Sequence, residues 1–206
     1  MQSEAEAIFE HSDFCYTASN VTLSISPTSR TTRISSPLLS GGALGIGAAL
    51  VSLLHSAGAH VFFSHVLTEP AEALLHDLTP SSSTGQKLHF IHTDVADYAS
   101  NLHLFRTAYE VCGRIDHAVS AAGIGEKGNI FDPELTLETV QEVPTRLVSG
   151  VGSAWAAAGL PVNTPLDVAK IIAGVLVSST TNGTALYVEG GRAWEIEAGI
   201  NALAPA

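Results

Sequence analysis

An α/β protein built on a Rossmann-like, doubly wound parallel sheet is what this 206-residue sequence predicts. Three observations carry that expectation. A glycine-rich stretch, Ser40-Gly41-Gly42-Ala43-Leu44-Gly45-Ile46-Gly47, joins a short apolar run (Ile34 to Leu39) to an Ala-rich helical run (Ala48 to Ala57). Short apolar runs then alternate with helical ones as far as Gly123, the pattern of parallel strands with helices on both faces. Finally, the chain is 46% hydrophobic and only 14% charged, a globular composition, and it is long enough to bury a substantial core.

Taken in order, residues 1–33 are rich in Ser and Thr and read as a poorly ordered tail. Within them, Val21, Leu23 and Ile25 alternate with polar residues as a short edge strand would. The first core strand is expected from Ile34 to Leu39. Pro37 conflicts with a central position, because proline supplies no ladder donor, so the strand either starts after Pro37 or is disrupted there. Gly45 to Ala57 reads as a helix stopped by Gly58. Ala59 to Val66 is the second strand, and Glu69 to Leu78 a helix with Pro70 in its first turn, where a missing N–H costs nothing. Ser81 to Gly85 is a loop. Leu88 to Thr93 is the third strand, Ala96 to Val111 a helix stopped at Cys112-Gly113, and Ile115 to Val119 the fourth strand.

Beyond Gly123 the pattern changes. A polar loop (Glu126 to Pro133) leads into a helix start, Leu135 to Gln141, that Pro144 interrupts. Leu147 to Ala158 reads as a helix, and so does Pro165 to Ser178, with Thr164 as N-cap and Asp167 in the first turn. Asn182-Gly183 is a turn. Ala185 to Val188 is a short strand ended by Glu189-Gly190-Gly191, with Tyr187 in the core.

Strand, glycine turn, helix is the setting in which such a stretch holds a dinucleotide. Gly41 allows the tight turn, Gly45 lets the backbone approach a pyrophosphate, and Gly47 lets the helix start pack closely. The helix N-terminus offers N–H groups and the positive end of its dipole to the phosphates. The net charge of −11 argues against a nucleic-acid partner and against an anionic membrane surface. No apolar h-region follows Met1 and no stretch reaches membrane-span length, so a soluble chain in the cytoplasm is expected. Cys15 and Cys112 read as ordinary reduced thiols. The nine histidines show no ligand spacing for a metal, so none is expected. Asp116 and Glu189 read as loop or cap carboxylates, and no G-x-S-x-G nucleophile elbow is present.

With these residues placed, the chain resembles the short-chain dehydrogenase/reductase family from about Leu39 to Ile200, in two blocks. SGGALGIG is similar to the family's TGxxxGIG, with Ser40 in place of Thr and Ile46 between the last two glycines. Asp94-Val95 matches its adenine-contacting Asp-Val pair. Ser120-Ala121-Ala122-Gly123 resembles its NNAG motif with both asparagines lost, and ALYVEGG (Ala185 to Gly191) resembles its last strand. Val143-Pro144-Thr145 is similar to the loop that covers the nicotinamide amide. The resemblance therefore implies one domain over residues 34–206, with a cofactor half at 34–142 and a C-terminal remnant at 143–206. The cofactor residues it implies are Gly41, Gly45, Ile46, Gly47, His65, Asp94, Val95, Ser120, Ala121, Ala122, Gly123, Val143 and Thr145.

His65 stands where NAD-preferring members carry an Asp. Its loss removes repulsion against a 2′-phosphate, and no Arg is near to clamp one, so NADP is favoured only slightly over NAD.

The resemblance fails at the chemistry. Family members use a Ser and a Tyr-x-x-x-Lys to move a proton as hydride moves. Here the residues four places after Tyr16, Tyr98, Tyr109 and Tyr187 are Asn20, Leu102, Gly113 and Gly191, and the only lysines are Lys87, Lys127 and Lys170. No catalytic residue is assigned. The span from Gly123 to Val143 is too short for two strands and a long helix, so the central catalytic strand-helix segment is expected to be missing. By resemblance the chain is an NAD(P)-dependent oxidoreductase acting on an alcohol or ketone of a small molecule. The GGRAWEIEAGI ending, similar to that of fungal-type members, suggests secondary-metabolite biosynthesis. The alternatives left open are a catalytically inactive truncated product and a nucleotide-binding or oligomerising module. Open apolar edges also leave a homo-oligomer open.

Overall fold

A computed structural model of the protein describes residues 15–17, 36–79, 87–123, 157, 159, 162–178 and 183–196. Its main body is a four-stranded parallel sheet of β2 (Pro37–Ser40), β3 (Val61–His65), β4 (Leu88–His92) and β5 (His117–Ser120), in the order β4-β3-β2-β5. The chain starts in the middle at β2, winds outward to β4, then crosses back to lay β5 on the other side of β2. Helices α1 (Gly45–Ser56) and α2 (Thr68–Leu78) make the outward steps, and α3 (Tyr98–Cys112) makes the return.

Because side chains alternate across a strand, the sheet has two separate cores. Leu39, Val61 and Phe63 face one side and pack with Leu50, Val51 and Leu54 of α1, all fully buried, and with Ala71 of α2. Leu38 and Phe62 face the other side and pack with Leu104 and Ala108 of α3. Helices on both faces make the sheet doubly wound, as the sequence predicts.

The expected conflict at Pro37 resolves locally. The strand begins with Pro37, which is fully buried and sits opposite His117 of β5. The backbone bonds lost there are replaced one step earlier. The Ser36 N–H donates to the Asp116 carboxylate at 3.0 Å, and the Asp116 N–H donates to the Ser36 carbonyl at 3.2 Å. Arg114 also pairs with that carboxylate, so Asp116 works as a cap for the sheet's entry.

Helix ends follow local rules. α3 starts on Asp97, whose carboxylate accepts from the Ala99 N–H at 3.1 Å and the Ser100 N–H at 3.0 Å, and it stops on Gly113 in the left-handed region (φ 69°). α4 (Pro165–Val177) starts with a full capping box between Thr164 and Asp167 and packs Ala169 and Ala173 into the α1 side of the core.

The C-terminal strand departs from expectation. β6 (Leu186–Glu189) does not join the parallel sheet. It turns through Gly190 and Gly191 (φ 56° and 74°) into β7 (Arg192–Glu195), a two-residue hairpin whose turn needs left-handed backbone at both positions. β1 (Cys15–Thr17) pairs antiparallel on the far side of β7, giving a second, three-stranded sheet in the order β1-β7-β6. Tyr187 is accordingly not core: it is 40% exposed and leans on the Trp194 ring. Asn163 ties α4's approach to this hairpin, donating to the Val188 carbonyl at 2.8 Å and accepting the Gly191 N–H at 3.0 Å. The readings for Val21 to Ile25, Ser81 to Gly85 and Glu126 to Gln141 lie outside the described residues.

Candidate dinucleotide site

In an open α/β sheet, ligands bind beyond the carboxyl ends of the strands, where the strand order reverses. Here the reversal lies between β2, the first strand laid down, and β5. The two turns that leave these strands are in contact. Gly41 has φ 69°, and a Cβ built on it falls 2.5 Å from the backbone N of Ala122. The Ala121 N–H donates to the Ser40 carbonyl at 3.1 Å. The glycine turn and the 120–123 segment therefore form one continuous wall.

The other two glycines differ in what surrounds them. A Cβ on Gly47 would lie 2.1 Å from the Gly41 carbonyl oxygen, so the start of α1 sits directly on the turn. Gly45 has φ 55°, and no atom of the described residues lies within 4 Å of its Cβ position. That is open space beside the α1 N-terminus, whose N-cap Leu44 supplies no side-chain bond and whose first turn holds no acidic residue. A pyrophosphate fits these features: donors at a helix end, no competing carboxylate, and a position where any side chain would intrude. Ile46 is 39% exposed beside it. Sequence reasoning passed over Gly42, whose Cβ would lie 2.6 Å from that of Phe63 and whose N–H donates to the Ser64 carbonyl at 2.9 Å. The doubled glycine was the available signal.

The wall continues across the sheet. The Thr93 N–H donates to the His65 carbonyl at 3.2 Å, joining the ends of β3 and β4. Asp94 and Val95 follow, both exposed. One carboxylate oxygen of Asp94 accepts the Ala96 N–H at 2.9 Å, and the Val95 carbonyl accepts from Asn101 at 2.9 Å. Asp94 and Ser120 stand at opposite edges of the four strands, three spacings or roughly 14 Å apart by strand geometry, a span for an extended ligand. Ser120 and Gly123 are exposed, and Ala121 and Ala122 half-buried.

His65 is buried, and its Nδ1 accepts the Leu67 N–H at 2.9 Å. Burial pushes this imidazole below its ordinary value. A ring nitrogen can accept that bond only when unprotonated, so the neutral ring carries its proton on Nε2. Val143 and Thr145 lie outside the described residues. Among the described residues, no group of three or more His, Cys, Asp or Glu converges as a metal site, and no helix is long and apolar enough to cross a membrane.

Residues 37–158 match the family model described as short chain dehydrogenase. The chain is 33% identical over 101 residues to a trans-4-hydroxycyclohexanecarboxylate dehydrogenase of Sinomonas cyclohexanicum, covering 48% of this chain and 39% of that protein. It is 30% identical over 119 residues to tropinone reductase-like 1 of Erythroxylum coca, covering 57% of this chain and 41% of that protein. Among solved structures it is similar to a short-chain dehydrogenase/reductase from Serratia marcescens BCRC 10948, with 33% identity, TM-score 0.46, and coverage of 53% of this chain and 43% of that one. The chain thus spans about two-fifths of the length of the curated relatives it matches.

Proposed function

The chain belongs to the short-chain dehydrogenase/reductase family, and from that premise we propose that it binds a nicotinamide dinucleotide in the crevice between β2 and β5. The observation that carries this reading is the Gly41 turn, pressed against Ala121 and Ala122 with open space at Gly45 beside an uncapped helix end. In this reading Gly45, Ile46 and Gly47 hold the pyrophosphate, Asp94 and Val95 hold the adenine, and Ser120 to Gly123 line the path toward the nicotinamide. Val143 and Thr145 would cover its amide. NADP is favoured slightly over NAD, since His65 brings no carboxylate against a 2′-phosphate.

The bound dinucleotide would supply hydride chemistry on an alcohol or ketone of a small molecule, with secondary metabolism as the context. That chemistry also needs a proton donor at the substrate oxygen, and no tyrosine of this sequence has a lysine four residues on. We therefore infer a soluble, cytoplasmic chain that binds the cofactor without turning it over. A second reading, a nucleotide-binding or oligomerising module that works with a partner, is favoured by β5. Among the described residues nothing pairs with its outer edge, and Ala118 and Ser120 on it are exposed.

Titration of the purified chain with NADPH and NADH, followed by addition of ketones, tests the proposal. Binding of both, with NADPH at least as tight and no ketone-dependent oxidation, is the expected result. Ketone-dependent oxidation of NADPH would overturn the loss of the proton relay. A folded chain that binds neither nucleotide would overturn the cradle.

A further inference from the structure

At the carboxyl ends of β3 and β4, one peptide group is gripped from both sides. The carbonyl of Val66 lies 3.0 Å from Nε2 of His92, and the N–H of Leu67, the other half of the same peptide plane, donates to Nδ1 of His65 at 2.9 Å. His65 and His92 are register partners across the β3–β4 ladder, so the two rings come from adjacent rigid strands.

The partners settle the proton positions. A carbonyl only accepts, so His92 donates from Nε2, while His65 must leave Nδ1 unprotonated to accept the amide. A peptide plane turns about its flanking Cα atoms, and bonds to both its oxygen and its hydrogen fix that rotation. Side-chain burial does not fix it here, since Val66 is 51% and Leu67 47% exposed. This turn also launches α2 at Thr68.

We propose that His65 and His92 form a two-imidazole clamp that orients the Val66–Leu67 peptide, and with it the turn that receives the adenosine ribose of the dinucleotide. The proposal rests on the reading of the site given above, and it makes both histidines positioning residues. Their dependence on acid differs. His92 keeps its Nε2–H whether neutral or charged, whereas protonated His65 has no acceptor left for Leu67. The other titratable groups on α2 and β4 are Glu69 in the first turn of α2, then Glu72, His76 and Asp77, and His89 on β4; Asp94 lies two residues beyond His92. Burial is the main influence on His65, so its half of the clamp opens on the acid side of about pH 6.5.

The test uses ADP-ribose and 2′-phospho-ADP-ribose as probes, by calorimetry on the full chain and on the variants His92→Phe, His92→Gln and His65→Phe. Gln can present an amide N–H near the place of Nε2, and Phe keeps the ring without a donor. Loss of one such bond is expected to weaken both probes about three- to tenfold in His92→Phe, with His92→Gln staying within about twofold of wild type. His92→Phe binding like wild type, or His92→Gln as weak as His92→Phe, would overturn the clamp.

If the wild type binds neither probe, the nucleotide reading is what fails, and the clamp is then judged on the Leu67 amide by NMR. That amide should be protected from exchange, should shift as His65 titrates in acid, and should lose its protection in His65→Phe. An amide indifferent to both changes would overturn the clamp.

Discussion

Gly45 and Gly47 lie two residues apart, and the structure assigns them opposite consequences on substitution. In Gly47→Ala the new Cβ would start 2.1 Å from the Gly41 carbonyl oxygen, and also 2.9 Å from the Gly41 carbonyl carbon and 3.0 Å from Gly42 Cα. Ordinary contact begins at 3.4 Å, and every atom it meets is backbone, so α1 or the turn has to move by more than an ångström. Overpacking of this kind costs about 1–3 kcal/mol, and the shift also opens the wall between β2 and β5.

In Gly45→Ala the Cβ meets no atom of the described residues within 4 Å, and the penalty is φ 55° in an L-residue, about 1–2 kcal/mol. Its methyl, however, projects into the space assigned to the pyrophosphate. Urea unfolding and NADPH titration separate the two effects. Gly45→Ala should lose stability modestly and lose NADPH binding by tenfold or more (roughly 1.4 kcal/mol per decade). Gly47→Ala should lose more stability, with binding falling alongside it. A Gly45→Ala variant that binds NADPH as well as wild type would refute the assignment of the phosphate to this cradle.

Other outcomes follow from single contacts. The Thr164 hydroxyl, then the Thr164 N–H, hold Asp167 below the ordinary carboxylate value, so the stability this exposed group adds is present at neutral pH and lost as pH falls below about 4. The difference in melting temperature between wild type and Asp167→Ala should therefore shrink in acid. His89 stacks on Phe62 with centroids 4.7 Å apart, and burial first, then the charges of Lys87 and His60, push it below the ordinary imidazole value. Its folded form resists protonation, so stability should decline as pH drops from about 6.5, and His89→Leu should flatten that slope, leaving the part due to His65. Asn163→Ala removes both bonds to the β6–β7 hairpin and should lower stability by about 1–3 kcal/mol in urea unfolding.

The legible parts of this chain were those in which residue identity states a local backbone demand. Gly41 and Gly47 announced a turn and a close approach, and both are pressed against backbone atoms. Thr164, Pro165 and Asp167 announced a helix start, and the capping box is there. What escaped sequence reasoning depends on pairing at a distance. Nothing near Cys15 signals a partner at Trp194, and Gly190-Gly191 read as the end of a strand when it is the turn of a hairpin. Pro37 looked disruptive because the donor that replaces its missing bond is Ser36, answered by Asp116 from the far side of β2.

In the site, His65 was legible as a position and not as a geometry. Only the fold shows that its Nδ1 is already engaged by Leu67, and that His92, which the sequence left unassigned, holds the same peptide.

The most direct test of the whole account is an amide chemical-shift map of the isotopically labelled chain titrated with NADPH. The largest shifts are expected on Gly41, the Gly45 to Gly47 helix start, Asp94 to Val95 and Ala121 to Gly123, across the carboxyl ends of the four parallel strands. Shifts concentrated on the β6–β7 hairpin, or none at all in a folded sample, would contradict it.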